Sequence, residues 1–221
     1  NTMTFNELIH FLQFADSALP VGAFAFSNAL ETAVEQRVVY DAATLAEFVG
    51  EQLRQSATSD GVAALAARRA TLAGDYEALL SIDARLIRSK LSDELRQMLC
   101  RMGRKLAELS VQTSGDPILV RWRDDIVARC TAGCYPVTQG IVFALGGLDA
   151  RSLFAAQQYG VMTTTLNAAL RCLRVTHFDT QRIIARLARL VEELYEQVHE
   201  MSVDEIYSFA PVLDVLASLH E

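Results

Sequence analysis

The chain has 221 residues, 51% of them hydrophobic, and a formal net charge of -7, which permits one large domain or two small ones with a substantial core. Acidic and basic residues are interspersed along most of it, which argues against an electrostatic footprint for nucleic acid or an anionic membrane. The longest apolar run, Gly140 to Leu148, falls far short of the roughly 20 residues that span a bilayer.

Apolar residues recur at helical spacing nearly throughout, and no run alternates β-branched with polar residues, so the spacing predicts an all-α chain. Asn1 and Thr2 read as a remnant ahead of a native start at Met3, and one helical domain is expected over residues 3–221. A first helix is marked by Phe5, Leu8, Ile9 and Leu12 and ends near Asp16, ahead of the turn set by Pro20 and Gly22. That turn opens the uncharged stretch LPVGAFAFS, residues 19–27. Phe24 and Phe26, two apart, cannot both be buried on one regular helix face, so either both rings plug gaps between neighbouring helices or at least one is available to a partner as an aromatic anchor.

Asn28 with Glu31 predicts a capping box for a helix to about Gln36, and Thr44 with Glu47 predicts another ahead of Leu45 and Phe48. Asp60 is expected to open an alanine-rich helix that Gly74 ends, followed by a helix striped by Tyr76, Leu79, Leu80, Leu86 and Ile87. From Ser92 to about Gln112 the series Leu95, Met98, Leu99, Met102, Leu106 and Leu109 predicts a long amphipathic helix, with Arg96, Arg101, Arg104 and Lys105 off the stripe. A helix carrying Trp122 and Ile126 follows Asp116-Pro117, and Pro136 suits a helix start. Residues 137–146 are apolar nearly all round, the pattern of a central buried helix. Asp149 opens a helix through Leu173, Asp179 or Thr180 opens one through Val198, Ser202 with Glu205 forms another capping box, and Pro211 opens a last short helix, giving a bundle of about ten.

Catalytic and cofactor patterns are absent from the sequence: there is no glycine-rich phosphate loop, no His-Glu-x-x-His helix and no Gly-x-Ser-x-Gly elbow. Cys100, Cys130, Cys134 and Cys172 are too few and too scattered for a disulfide scaffold, and no leader with a charged start and apolar centre is seen, so a reducing cytoplasm is expected. Cys130 and Cys134, four apart, could share a helix face and a soft metal ion, but a structural zinc site needs a second pair, and buried free thiols are the expected reading. No cofactor and no metal site of the chain's own are expected. An alternative is a helical enzyme or small-molecule binder with an inter-helix pocket, using Glu31, Tyr159, His177 and the cysteines as polar groups.

The segment LQFADSALPVGAFAFSNALETAVEQ, residues 12–36, resembles the N-terminal signature of the urease accessory protein UreF family. The resemblance continues in DELRQMLCRMGRKLAELS at 93–110, CYPVTQGIVFALGGL at 134–148, Asn167-Ala168-Ala169-Leu170-Arg171 with Gln181, and the ending FAPVLDVLASLHE. Three departures are visible: Ala29-Leu30-Glu31 stands for the usual Gly-Leu-Glu, Ala23 for a common glycine, and Thr176-His177 for a Gly-Gln pair. The resemblance implies a non-catalytic, cytoplasmic helper that dimerises, assembles with the accessory GTPase UreG and with UreD (UreH), regulates the GTPase, and assists nickel delivery into apo-urease. It also implies a partner-facing set: Pro20, Gly22, Phe24, Phe26, Ser27 and Glu31 as a shaped loop, Arg101, Arg104 and Arg171 as contacts for partner carboxylates or, equally, as buried structural pairs within the bundle, and the terminal His220 and Glu221.

Overall fold

A computed structural model describes residues 3–16, 19–21 and 27–206, with backbone alone at 27 and 28. Among the described residues the chain is all helix and turn, with no strand. The elements are α1 (Phe5–Ala15), α2 (Ser27–Glu35), α3 (Ala42–Ser56), a π-helical segment (Ala57–Gly61), α4 (Val62–Ala73), α5 (Tyr76–Ser89), α6 (Asp93–Ser114), α7 (Pro117–Val127), α8 (Tyr135–Leu145), α9 (Ala150–Cys172), α10 (His177–Val198) and a 3-10 turn (Val203–Glu205). The Pro211 helix and its neighbours lie outside the described residues.

Local chemistry sets most of these boundaries. Ser92, Asp116 and Asp149 cap α6, α7 and α9 with their side-chain oxygens, and Gly74 and Gly115 end α4 and α6 in left-handed conformation. Two predicted caps move upstream. Asp41, with Thr44 as its reciprocal partner, starts α3 where Thr44 and Glu47 were expected, and Thr176 with Asp179 starts α10. In each case an equally good capping residue lay three positions earlier, and the helix takes the longer option because every added turn closes further backbone bonds. Asn28 lies inside α2, which begins one residue earlier.

Asp60 does not open a helix. It sits within the π-helical segment, where Val62 N–H reaches back to the Ala57 carbonyl and carries α3 into α4 without a break. The sequence there, Ala-Thr-Ser-Asp-Gly, is poor in helix formers, and its hydroxyls compete for the ladder: Thr58 Oγ1 and Ser59 Oγ donate to the Gln55 carbonyl at 3.2 and 2.9 Å. Gly61 makes room for Phe154, since a Cβ at residue 61 would lie 2.7 Å from that ring.

The central helix is α8, buried from Pro136 through Ala144. It packs on α4 and α6, while α5 covers α4, α7 covers α6, and α9 gathers α1, α2, α3 and α10. Gly140 lets the α4 backbone approach closely, because a Cβ there would meet the Ala64 carbonyl oxygen at 2.4 Å. Trp122, fully buried, donates its indole N–H to Thr138 Oγ1 at 2.9 Å and ties α7 to α8.

Helix α1 is placed with its expected stripe outward: Phe5, Leu8, Ile9 and Leu12 are all exposed, Phe5 at 87%. Its packed side is Phe14, Phe11 edge-on to Phe143, and His10, whose ring fits over Gly146 because that residue has no Cβ. His10 Nε2 lies 3.3 Å from the Val142 carbonyl. Burial pushes the His10 pKa below its ordinary 6.5, against the opposing pull of that carbonyl. The fold therefore prefers the neutral ring and the unfolded chain binds the proton more readily. This contribution to stability is complete above pH 6.5 and is lost as pH falls toward the depressed value. Between pH ~7 and ~5.5 the urea midpoint of the unaltered chain should fall more than that of His10→Gln. Superimposable profiles would show that His10 does not titrate with folding.

Candidate partner-binding surfaces

The turn expected to face a partner begins at Leu19. Leu19 N–H bonds the Asp16 carbonyl at 3.1 Å and Val21 N–H bonds the Leu19 carbonyl at 2.7 Å, a tight three-residue turn about exposed Pro20. Val21 is buried, and with Leu19 and Phe14 it covers a cavity of about 70 Å³ between α1, the π-helical segment, α8 and α9. The cavity walls include Asp60, Gln139, Gln157 and Thr163. Gln158 Nε2 donates to Gln157 Oε1 and Gln157 Nε2 to Ser56 Oγ, both at 2.6 Å, while Gln139 Oε1 is buried with no donor. A space this small suits water and is well below the ~300 Å³ of ordinary ligand pockets. Behind it, Lys90 Nζ lies 2.6 Å from Asp60 Oδ1 and 3.2 Å from Ser59 Oγ. The Lys90–Asp60 contact is ionic, since Asp60 Oδ1 has no aligned donor. Gly22, Phe24, Phe26, His220 and Glu221 lie outside the described residues, as does the side chain of Ser27.

The remaining predicted residues divide between two places. Glu31, half-buried on α2, and Arg171, exposed in the last turn of α9, both act on Cys172: burial pushes that thiol up, the Glu31 carboxylate adds to the effect, and Arg171 opposes it. Arg101 and Arg104 are exposed on α6 and line a groove of about 610 Å³ between α5, α6 and the turn after α7. Arg104 pairs with Glu108 at 3.1 Å one turn along.

Two residues of this groove escaped the sequence reading. Arg88 from α5 and Arg129 from the turn join Arg101 and Arg104 on its walls. Arg88 sits in a helix otherwise noted for its apolar stripe, and Arg129 in a connection of no evident pattern. The turn itself is built on Asp83, a fully buried carboxylate that accepts hydrogen bonds from Thr131 Oγ1 at 2.6 Å, Gly133 N–H at 2.8 Å and Cys134 N–H at 2.7 Å. Arg129 has φ 62, left-handed for a residue with a side chain.

The cysteine expectation needs correction. Cys130 is exposed in the turn and Cys134 is the buried N-cap of α8, so positive φ at Arg129 and Gly133 ends any shared helix face. Cys134 faces Cys100 of α6 instead. The hydrogen bond from the Cys134 thiol lowers the Cys100 pKa, while that bond and burial hold Cys134 protonated. Among the described residues, no three His, Cys, Asp or Glu side chains converge in a metal-binding group. Tyr159 and His177 are exposed on different helices, and neither they nor Glu31 line the polar cavity under Val21.

Residues 39–188 match the model of the UreF family. The chain is 46% identical over 213 residues to "Urease accessory protein UreF 2" of Brucella canis, covering 96% of this chain and 88% of that protein. It is 43% identical over 214 residues to "Urease accessory protein UreF" of Photorhabdus laumondii, covering 97% and 94%. Against the protein of the same name from Yersinia pseudotuberculosis it is 42% identical over 218 residues, covering 99% and 96%.

Proposed function

Because the chain belongs to the UreF family of urease accessory proteins, we propose that it is a non-catalytic scaffold, assembling with the accessory GTPase UreG and with UreD (UreH) to assist nickel insertion into apo-urease. It does so in the cytoplasm, as a homodimer. The observation that carries this reading is similarity over nearly the whole length, 96–99% of this chain, to proteins bearing that name. The outward apolar stripe of α1 supports it, since four exposed large side chains at helical spacing fit a surface awaiting a partner. In this reading Pro20, Gly22, Phe24, Phe26, Ser27 and Glu31 shape one contact, Arg101, Arg104 and Arg171 meet partner carboxylates, and His220 with Glu221 lines a further interface.

The test is nickel bound per urease active site in a heterologous host carrying the whole urease operon, with this gene present or deleted, at equal urease protein. Deletion should collapse the nickel content. Unchanged nickel would remove the maturation role.

A further inference from the structure

The groove between α5, α6 and the turn after α7 inverts the charge of the molecule around it. The chain carries a net charge of -7, yet Arg88, Arg101, Arg104 and Arg129 line this one concavity and no carboxylate does. Arg104 has its own partner in Glu108. Arg88, Arg101 and Arg129 make no ion pair with any described residue, although carboxylates are numerous elsewhere on the surface.

The floor between the guanidinium groups is apolar, with Ile87 and Ile126. One wall is fixed: three hydrogen bonds to buried Asp83 set the turn, and Arg129 is held left-handed within it, an arrangement that persists only where surrounding structure enforces it. Planar guanidinium forks match carboxylates two bonds at a time. An apolar floor between them favours a polypeptide with carboxylates on either side of an apolar side chain. A nucleic acid would offer phosphates and meet repulsion from the rest of the surface.

We propose that this groove is the docking site for an acidic segment of a partner protein in the maturation assembly. This rests on the scaffold reading above and names the surface through which one partner is held. Groove and partner attract through charge over a desolvated floor, so the contact weakens with salt and depends on Arg88 and Arg129 as much as on Arg101.

The experiment co-expresses the chain with the other operon-encoded urease proteins and measures the fraction co-eluting with them. The test variant is Arg88→Glu/Arg101→Glu/Arg129→Glu; the control reverses an equal number of charges on the exposed face of α10, Arg182→Glu/Arg186→Glu/Arg189→Glu. The groove variant should lose about tenfold or more in co-elution while the control retains it. A milder pair, Arg101→Gln/Arg129→Gly, relieves the left-handed strain, should keep the fold intact by circular dichroism, and should show a smaller loss of the same kind. A benzophenone maleimide on Cys130, the exposed thiol at the groove edge, should trap a partner peptide rich in Asp and Glu. Unchanged co-elution of the groove variants, equal loss in the α10 control, or a trapped peptide without carboxylates would each overturn the proposal. Release by inorganic phosphate beyond that by chloride at equal ionic strength would also overturn it, by assigning the groove to a phosphoryl ligand. If deletion of the gene abolishes nickel loading while the groove variants assemble and load normally, the groove proposal alone fails and the scaffold reading stands.

Discussion

Lys90→Met is expected to destabilise the protein by about 3–5 kcal/mol, the cost of leaving one member of a buried ion pair without its partner. Lys90 and Asp60 are only 7% and 8% exposed, and the ammonium nitrogen stands 2.6 Å from Asp60 Oδ1. Methionine preserves the length and apolar packing of the lysine stem. It removes the charge and the contact to Ser59 Oγ, stranding a carboxylate inside the π-helical segment. The double variant Lys90→Met/Asp60→Asn should recover more than half of the loss, because neither charge then remains to be desolvated. Urea unfolding monitored by helical circular dichroism reads both. A single-variant cost below about 1 kcal/mol, the range of surface pairs, would show that water reaches the pair in solution.

Gly103→Ala should be comparably severe for a steric reason. A Cβ at residue 103 would stand 1.8 Å from the Gly133 carbonyl oxygen and 2.7 Å from both Cys134 C and Tyr135 N. All three are backbone atoms, and Asp83 pins the same backbone by hydrogen bonds to Gly133 and Cys134. No flexible side chain can yield, so α6 must shift away from α8 or the Asp83 bonds must break, at a cost near or beyond the top of the roughly 1–3 kcal/mol for overpacking. Gly74→Ala is the comparison, since that glycine has open space around it and only left-handed strain to resist substitution, about 1–2 kcal/mol. Thermal unfolding should place Gly103→Ala well below Gly74→Ala. The reverse order would mean that the α6–α8 approach is looser in solution.

Helix positions were legible in the sequence because a 3.6-residue apolar period leaves a mark wherever one face is buried. The α8 helix was legible for the opposite reason: Val137 to Leu145 has no polar stripe, and Pro136 through Ala144 are buried. What the pattern does not encode is which neighbour a face meets. The stripe Phe5, Leu8, Ile9 and Leu12 located α1 correctly but faces away from the core, because the aromatic His10, Phe11 and Phe14 side fits over Gly146 and Phe143. Cap placement failed where Asp41 competed with Thr44, two residue types of similar capping strength separated by one turn. Arg101 and Arg104 were legible as one helix face. Their grouping with Arg88 and Arg129 was not, since it requires α5 and the turn around Asp83 to be brought to α6 by tertiary packing. The motif strings identified the family without revealing any of this geometry.

From Ala42 to Ala73 the chain is one uninterrupted rod, about 48 Å long at 1.5 Å per residue. Its α3 half meets α9 and α10, and its α4 half meets α8 and α5. The wider π turn between them sets the angular phase of one half against the other. Removing a single residue from Ala57–Gly61 would turn the bond from Val62 N–H to the Ala57 carbonyl into an ordinary i→i−4 bond and leave the phase of α4 nearly unchanged, whereas removing one from the regular turns of α3 would rotate the alanine face of α4 by about 100°, away from Gly140. The π turn can therefore lose a residue where the regular turns on either side of it cannot. The open turns at Gly74 and Gly115, with nothing near their Cβ positions, are where insertions and deletions between related chains can accumulate.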